Sequence, residues 1–438
     1  MKLGRHRLLV GALLGWAVMS LLGYLLKAQC IPDYDADRDR LLCSNDIQVL
    51  YLARAMAAHP FPYVHGALVD HRLVNGALEY PVLTGLFAWL PALVARGAGS
   101  YLQWTALLLA PFSLTTTVLL TRMVQARALL YALAPPLVWY SFHNWDLLVV
   151  CASVAAFHAW WWQRWAWAGC WLAVGASLKF WPVLFVLPLL LDRIAAGDRR
   201  GAVRSMVACA GVALAVNGPF LLASPRGWWA PYAFQQERAA DITSNSIWFW
   251  GLPSLSTGQL NEIIPAVLLI ATLVACAVGW VRARREGAFP FVQVCGALLV
   301  AFMVTGKAHS PQYAMWLLPF FCLVRLRWGW FAAYLALDAV FYVGLFRWFF
   351  DLSRGIEHGL TYQAVVIGVW GRAVALLLLY VVLLRARSAL EKPVVVGSGG
   401  ESVLDRPRRG GREDDVAGQQ LAGQPGAHAV RIDQVAQQ

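Results

Sequence analysis

The sequence predicts an all-α polytopic membrane protein that crosses the bilayer about twelve times, and three observations carry that prediction. Hydrophobic residues make up 59% of the 438 residues and charged residues only 14%, against about 25% charged in an ordinary soluble domain. The mean hydropathy of +0.56 is too high for one aqueous globule without large apolar patches on its surface. Apolar runs long enough for a hydrocarbon core of roughly 30 Å recur along the chain. The 22 Trp and 14 Tyr suit two interfacial belts, where amphipathic rings sit at headgroup level. A net charge of +12 would suggest nucleic acid in a soluble protein. Here Lys and Arg cluster in short loops between apolar runs, so the lipid bilayer is the expected partner and nucleic acid is not.

The elements follow in order. Lys2, Arg5 and Arg7 precede the apolar run Leu8–Leu26. No small-x-small cleavage site follows, so an uncleaved anchor with a cytoplasmic N-terminus is expected. Residues 28–100 form the first extracytoplasmic loop, with a helix expected over Ile47–Ala58 and turns at His59-Pro60 and Asn75-Gly76. Cys30 and Cys43 both lie in this loop and would form a disulfide in an oxidising compartment. The other cysteines sit in apolar runs and read as small hydrophobes. The acidic run Asp33 to Asp39 has Arg38 and Ser44 where a calcium loop needs Gly and Glu, so it reads as a solvated loop.

Counting Tyr80–Ala95 as a span would place Arg122, Arg127 and every later basic loop outside. Laid flat as an interfacial helix on the outer surface, it restores the charge bias. The remaining spans are Tyr101–Thr121, Ala128–Phe142, Trp145–Trp162, Ala166–Leu178, Phe180–Leu191, Ser205–Ala223, Ile263–Val281, Ala288–Thr305, Gln312–Val324, Trp328–Phe346 and Gln363–Leu384. Both termini are then cytoplasmic. Residues 1–390 form the membrane domain, and the Gly/Gln/Asp/Arg-rich residues 391–438 are expected to be a disordered cytoplasmic tail.

This topology gathers four polar clusters at the outer face: Ser44-Asn45-Asp46, His143-Asn144-Trp145-Asp146, Lys179, and Lys307-Ala308-His309-Ser310-Pro311-Gln312-Tyr313. Ionisable groups converging at one membrane face mark a functional site by default. Each also has a plainer reading. Lys179 can snorkel to the interface, Asp146 can favour the start of its helix, and a lone histidine such as His309 is more often structural. Together, a carboxylate facing cations suits one reaction: the carboxylate takes a proton from an acceptor hydroxyl while the cations stabilise a leaving phosphate. A lipid-phosphate donor would also account for the membrane setting.

The order of these elements is familiar. After one span and a long outer loop with an early Asp come Glu79-Tyr80-Pro81-Val82-Leu83, Asn144-Trp145-Asp146-Leu147-Leu148, Ala176-Ser177-Leu178-Lys179-Phe180-Trp181-Pro182 and Ser310-Pro311-Gln312-Tyr313 with Trp316-Leu317. The chain resembles the GT-C superfamily of membrane glycosyltransferases over about residues 8–385, and within it glycosyltransferase family 87, which includes polyprenyl-phosphate-mannose-dependent α-mannosyltransferases. The resemblance implies inverting transfer of a hexose, mannose in that family, from a polyprenyl-phosphate donor to a glycolipid or lipoglycan acceptor of the cell envelope, outside the cytoplasmic membrane. It implies Asp46 as the catalytic base, with Lys307 and Ser310–Tyr313 at the donor phosphate. Glu79, Tyr80, Asn144, Asp146, Lys179, His309, Gln312 and Tyr313 are the expected substrate contacts, and Arg238 and Trp248 are placed towards the acceptor. No metal or cofactor is implied. The competing class is a lipid or glycan transporter, which would more often show half-chain repeats meeting at mid-membrane; no such repeat is evident.

Overall fold

The structure is a computed structural model that describes residues 2–390, so the tail expected over 391–438 lies outside the described residues. The architecture is all-α, as expected. Among the described residues six helices are long and apolar enough to cross a membrane: Lys2–Ala28, Ala98–Val124, Arg199–Ala223, Thr257–Glu286, Trp328–Ser353 and Leu360–Arg385. Shorter apolar helices, Asp146–Trp161, Trp165–Leu178 and Phe291–Thr305, pack among them. The two classes divide the labour of burial. Ala314–Leu323 is buried at every residue and Asp146–Trp161 at nearly every one. The long helices instead turn side chains such as Leu214, Leu222, Leu269 and Leu377 outward. In water that surface would be a defect, but against lipid tails it is the solvent-matched face. Close crossing is arranged by small residues: a Cβ on Gly169 would run into the Ser205 backbone carbonyl of the Arg199–Ala223 helix.

Proline rewrites three expected spans. Ala128–Phe142 is not one helix but a single turn at Leu129–Ala132 and a short Pro135–Tyr140 helix. Ala134 between them is extended at φ −71°, ψ 129°, because a residue before proline is pushed out of the helical region. Phe180–Leu191 opens as the 3₁₀ turn Trp181–Phe185 around Pro182 before Val186–Ala195. Gln312–Val324 likewise opens as Pro311–Tyr313 before Ala314–Leu323. The breaks at Pro182 and Pro311 fall beside polar clusters, at Lys179 and within Lys307–Tyr313.

The element laid flat by the charge argument is the helix Val82–Ala92. Its 11 residues reach about 16 Å at roughly 1.5 Å per residue, half of the roughly 30 Å a span needs. The first loop is ordered. Cys30 and Cys43 are joined by a disulfide, and both are fully buried against Tyr34. The expected helix is shorter than Ile47–Ala58 and runs over Asp46–Ala53. It ends at Arg54 and at Ala55, whose φ is +47°. A hairpin that the sequence did not announce pairs Ala67–Val69 with Arg72–Val74. Its turn is Asp70-His71, both with positive φ, as a two-residue turn of the primed type requires.

Candidate functional site

Asp46 opens the Asp46–Ala53 helix, where a carboxylate meets the positive end of the helix dipole. The turn before it is fastened on several sides. Asn45 caps the helix by accepting the Gln48 N–H at 2.9 Å, and the Tyr34 hydroxyl donates to the Asn45 carbonyl at 2.9 Å. The Asp46 N–H donates to the His143 carbonyl at 2.8 Å. His143 Nδ1 in turn donates to the Ser44 carbonyl at 2.9 Å. A carbonyl can only accept, so Nδ1 carries the ring proton and Nε2 presents a lone pair, 4.0 Å from Asp46 Oδ1. Burial, and next the Lys27 charge, hold His143 well below the ordinary histidine range, so its ring is neutral.

The Asp46 carboxylate itself is enclosed by protein yet keeps 38% of its side chain accessible. Asn144 Nδ2 donates to Asp46 Oδ2 at 2.7 Å and to the Tyr80 hydroxyl at 2.6 Å. Its own carbonyl accepts the Trp145 N–H at 2.6 Å, which fixes the amide's orientation. Gln312 Nε2 approaches the same carboxylate oxygen at 3.4 Å. Burial raises the Asp46 pKa above the ordinary carboxylate value. The Asn144 hydrogen bond opposes that rise, followed by the charges of Lys179, Arg238 and Lys27. A carboxylate shifted upward is the stronger base when ionised.

The second centre is an ion pair. Lys179, which ends the Trp165–Leu178 helix, places Nζ 2.5 Å from Asp146 Oδ1, and the Trp316 indole N–H donates to the same oxygen at 2.9 Å. Asp146 is 1% and Lys179 11% exposed along the side chain, so the lysine is not snorkelling. Its ammonium lies 5.2 Å from the ring centre of Tyr80, 5.5 Å from Tyr313 and 5.0 Å from Trp316, an aromatic cage that holds a cation by its ring faces. Tyr313 stacks on Trp316 at 3.6 Å and on His309 at 5.6 Å.

The fold therefore brings Asp46, Tyr80, Asn144, Asp146, Lys179, Gln312 and Tyr313 into one cluster. Other named residues are turned elsewhere. Glu79 pairs with Arg54. Lys307 donates to the carbonyls of Gln235, Gln236 and Arg238 and to Asn261 Oδ1 at 2.7–3.1 Å. There it caps the end of the Pro225–Glu237 helix, which presents Arg238 to the field at Asp46. Trp248 faces inward, donating to the Thr305 carbonyl at 2.8 Å. His309 is buried and bonded to the Met303 backbone, and burial holds it neutral, while Nε2 has no partner among the described residues.

Three contributors escaped the sequence reading. Lys27, immediately after the first apolar run, is fully buried behind the Asp46 turn. Asp338 and Arg372 form an ion pair at 3.5 Å between the last two long helices, at 0% and 1% exposure. Charged residues inside or at the end of long apolar runs were the available signal.

Comparison with known proteins adds two findings. The model of glycosyltransferase family 87 matches residues 78–306, more than half of the chain. That span holds Tyr80, Asn144, Asp146 and Lys179 and stops short of Asp46 and Gln312, whose placement comes from the geometry above. The fold is also similar to that of ArnT from Cupriavidus metallidurans, crystallised bound to undecaprenyl phosphate, at 15% identity and a TM-score of 0.42. That likeness covers 85% of this chain and 76% of the other. No curated protein matches the chain in sequence.

Proposed function

Because the chain belongs to glycosyltransferase family 87, we propose that it transfers a hexose, mannose in our reading, from a polyprenyl phosphate to a glycolipid or lipoglycan on the extracytoplasmic face. The observation that carries the reading is the juxtaposition of an accessible carboxylate, oriented by Asn144 at 2.7 Å, with the caged ammonium of Lys179. Asp46 takes the proton of an acceptor hydroxyl, whose oxygen bonds to the anomeric carbon. The bond from that carbon to the phosphate oxygen breaks on the opposite side, and its electron pair leaves with the polyprenyl phosphate. Displacement in one step inverts the anomeric centre. Lys179, with the donors of Gln312 and Tyr313, meets the charge growing on the phosphate. Lys307 supports this arrangement by holding the Arg238 turn. No cofactor is invoked.

The lipid assignment has its own support. Immediately after Lys179 the chain turns Phe180, Val183, Leu187 and Ile194 outward, each between 38% and 54% exposed. An apolar strip thus begins where the phosphate-facing cation ends, matching a prenyl tail that stays in lipid. Membranes containing the chain are expected to move radiolabel from polyprenyl-phosphate mannose into extractable glycolipid. Transfer only from the glucose or arabinose donor would correct the sugar, and no transfer from any would favour the transporter class.

Sidedness has a separate test. In cells quenched with acid and denatured in an alkylating agent, Cys30 and Cys43 should be found oxidised, and subsequent reduction should release two alkylatable thiols with a mobility shift. Thiols already free before reduction would put the loop, and the site, on the cytoplasmic side.

A further inference from the structure

Lys27 lies in the last turn of the Lys2–Ala28 helix and is 0% exposed. A lysine near the end of a span ordinarily extends its ammonium to the interface. This one points into the protein. Its Nζ donates to the Ser44 carbonyl at 2.9 Å and to the Tyr342 hydroxyl at 3.2 Å. Among the described residues it has no carboxylate within ion-pair distance. A buried ammonium with only neutral partners is costly to keep unless its field is used, and the carboxylate whose charge it senses is Asp46.

The bonds continue into the loop. The Tyr342 hydroxyl donates to the Leu42 carbonyl at 2.5 Å, and the Ser44 carbonyl receives both Lys27 and His143. The segment Leu42–Ser44 thus hangs from a charged side chain of the first span and from the Trp328–Ser353 helix. We propose that Lys27 is a positioning residue for the transfer reaction: its buried side chain anchors the turn that carries Asp46, and its protonated ammonium places a positive charge behind that carboxylate. This rests on the reading of Asp46 as the base.

The other charged and titratable groups around Asp46 are His143 from the loop before Asp146, Lys179 and Asp146 from the ion pair, Arg238 from the turn after Glu237, and the phenols of Tyr80 and of Tyr34 in the first loop. Of the positive charges, Lys27 alone lies behind the loop on the first helix. Lys179 and Arg238 come from other elements, the end of the Trp165–Leu178 helix and the end of the Pro225–Glu237 helix. Removing Lys27 should therefore change the titration of Asp46 without removing a substrate contact.

The test uses the full-length protein in detergent. Carbodiimide modifies protonated carboxylic acids, and its extent at Asp46 can be followed across pH by peptide mass spectrometry. Lys27→Gln keeps a donor for Ser44 and loses the charge. It is expected to move the Asp46 midpoint upward by up to about one pH unit and to move the acid limb of the transfer rate by the same amount. Lys27→Arg keeps the charge and should hold both near wild type. An unmoved midpoint in folded Lys27→Gln overturns the proposal, as does a moved midpoint in folded Lys27→Arg, which decides the matter should the Gln variant not fold. The labelling needs no donor or acceptor, so it stands apart from the base assignment. Full transfer by Asp46→Asn would remove that assignment alone.

Discussion

Asp46→Asn is expected to lower transfer about 10²- to 10⁴-fold, the usual contribution of a positioned general base. The substitution is nearly isosteric. Asn144 can still donate to the remaining carbonyl oxygen, and the backbone bond from residue 46 to the His143 carbonyl is untouched. What disappears is the ability to accept a proton as the acceptor hydroxyl attacks. The loss should therefore appear in kcat, with KM for both substrates close to wild type. Initial rates in membranes of matched expression would show it. Wild-type rates in the Asn variant would mean that another group, or water, takes the proton.

The second large effect concerns the ion pair. Lys179→Met leaves Asp146 buried at 1% exposure without its cation, and breaking a buried pair on one side costs about 3–5 kcal/mol. Folded protein surviving a heating series in detergent should fall accordingly. The companion Asp146→Asn/Lys179→Met removes both charges, which is often nearly neutral for stability. If Lys179 serves only to satisfy Asp146, the double variant recovers stability and transfer together. The expected result is recovery of stability without transfer, because the cation facing the phosphate is still missing. Recovery of both would reduce Lys179 to a structural role.

Sequence periodicity and composition disclosed the membrane class and the apolar runs, because hydrophobicity acts locally along the chain, and the Val82–Ala92 helix is indeed too short to span. Asn144, Asp146 and Lys179 could be named because each borders an apolar run, and Asp46 because the family resemblance places the base in the first loop. Their partners could not be read in the same way. Whether Lys179 snorkels or pairs with Asp146 depends on how the Trp165–Leu178 helix crosses Asp146–Trp161, a tertiary fact. Lys307 looked like a phosphate ligand by motif, yet its ammonium is occupied by the end of a helix seventy residues upstream. Arg372 was hidden by the apolar run around it, and Lys27 by its place at the end of a span, where a lysine ordinarily reaches the interface. The proline breaks at Pro135, Pro182 and Pro311 were visible as residues, but their effect depended on neighbouring helices accepting shortened spans.

The bond between Tyr342 and Leu42 joins positions 300 residues apart, and that separation orders events during synthesis. A ribosome adding roughly 5–20 residues per second reaches Tyr342 about 15–60 s after Leu42. Through that interval the first loop has its disulfide partners and its Tyr34 clasp at hand, while one of its anchors does not yet exist. A chain released early, before the Trp328–Ser353 helix, would carry Asp46 on an unfinished support. The Asp46 turn is thus completed late in this chain's biogenesis, long after Asp46 itself is made.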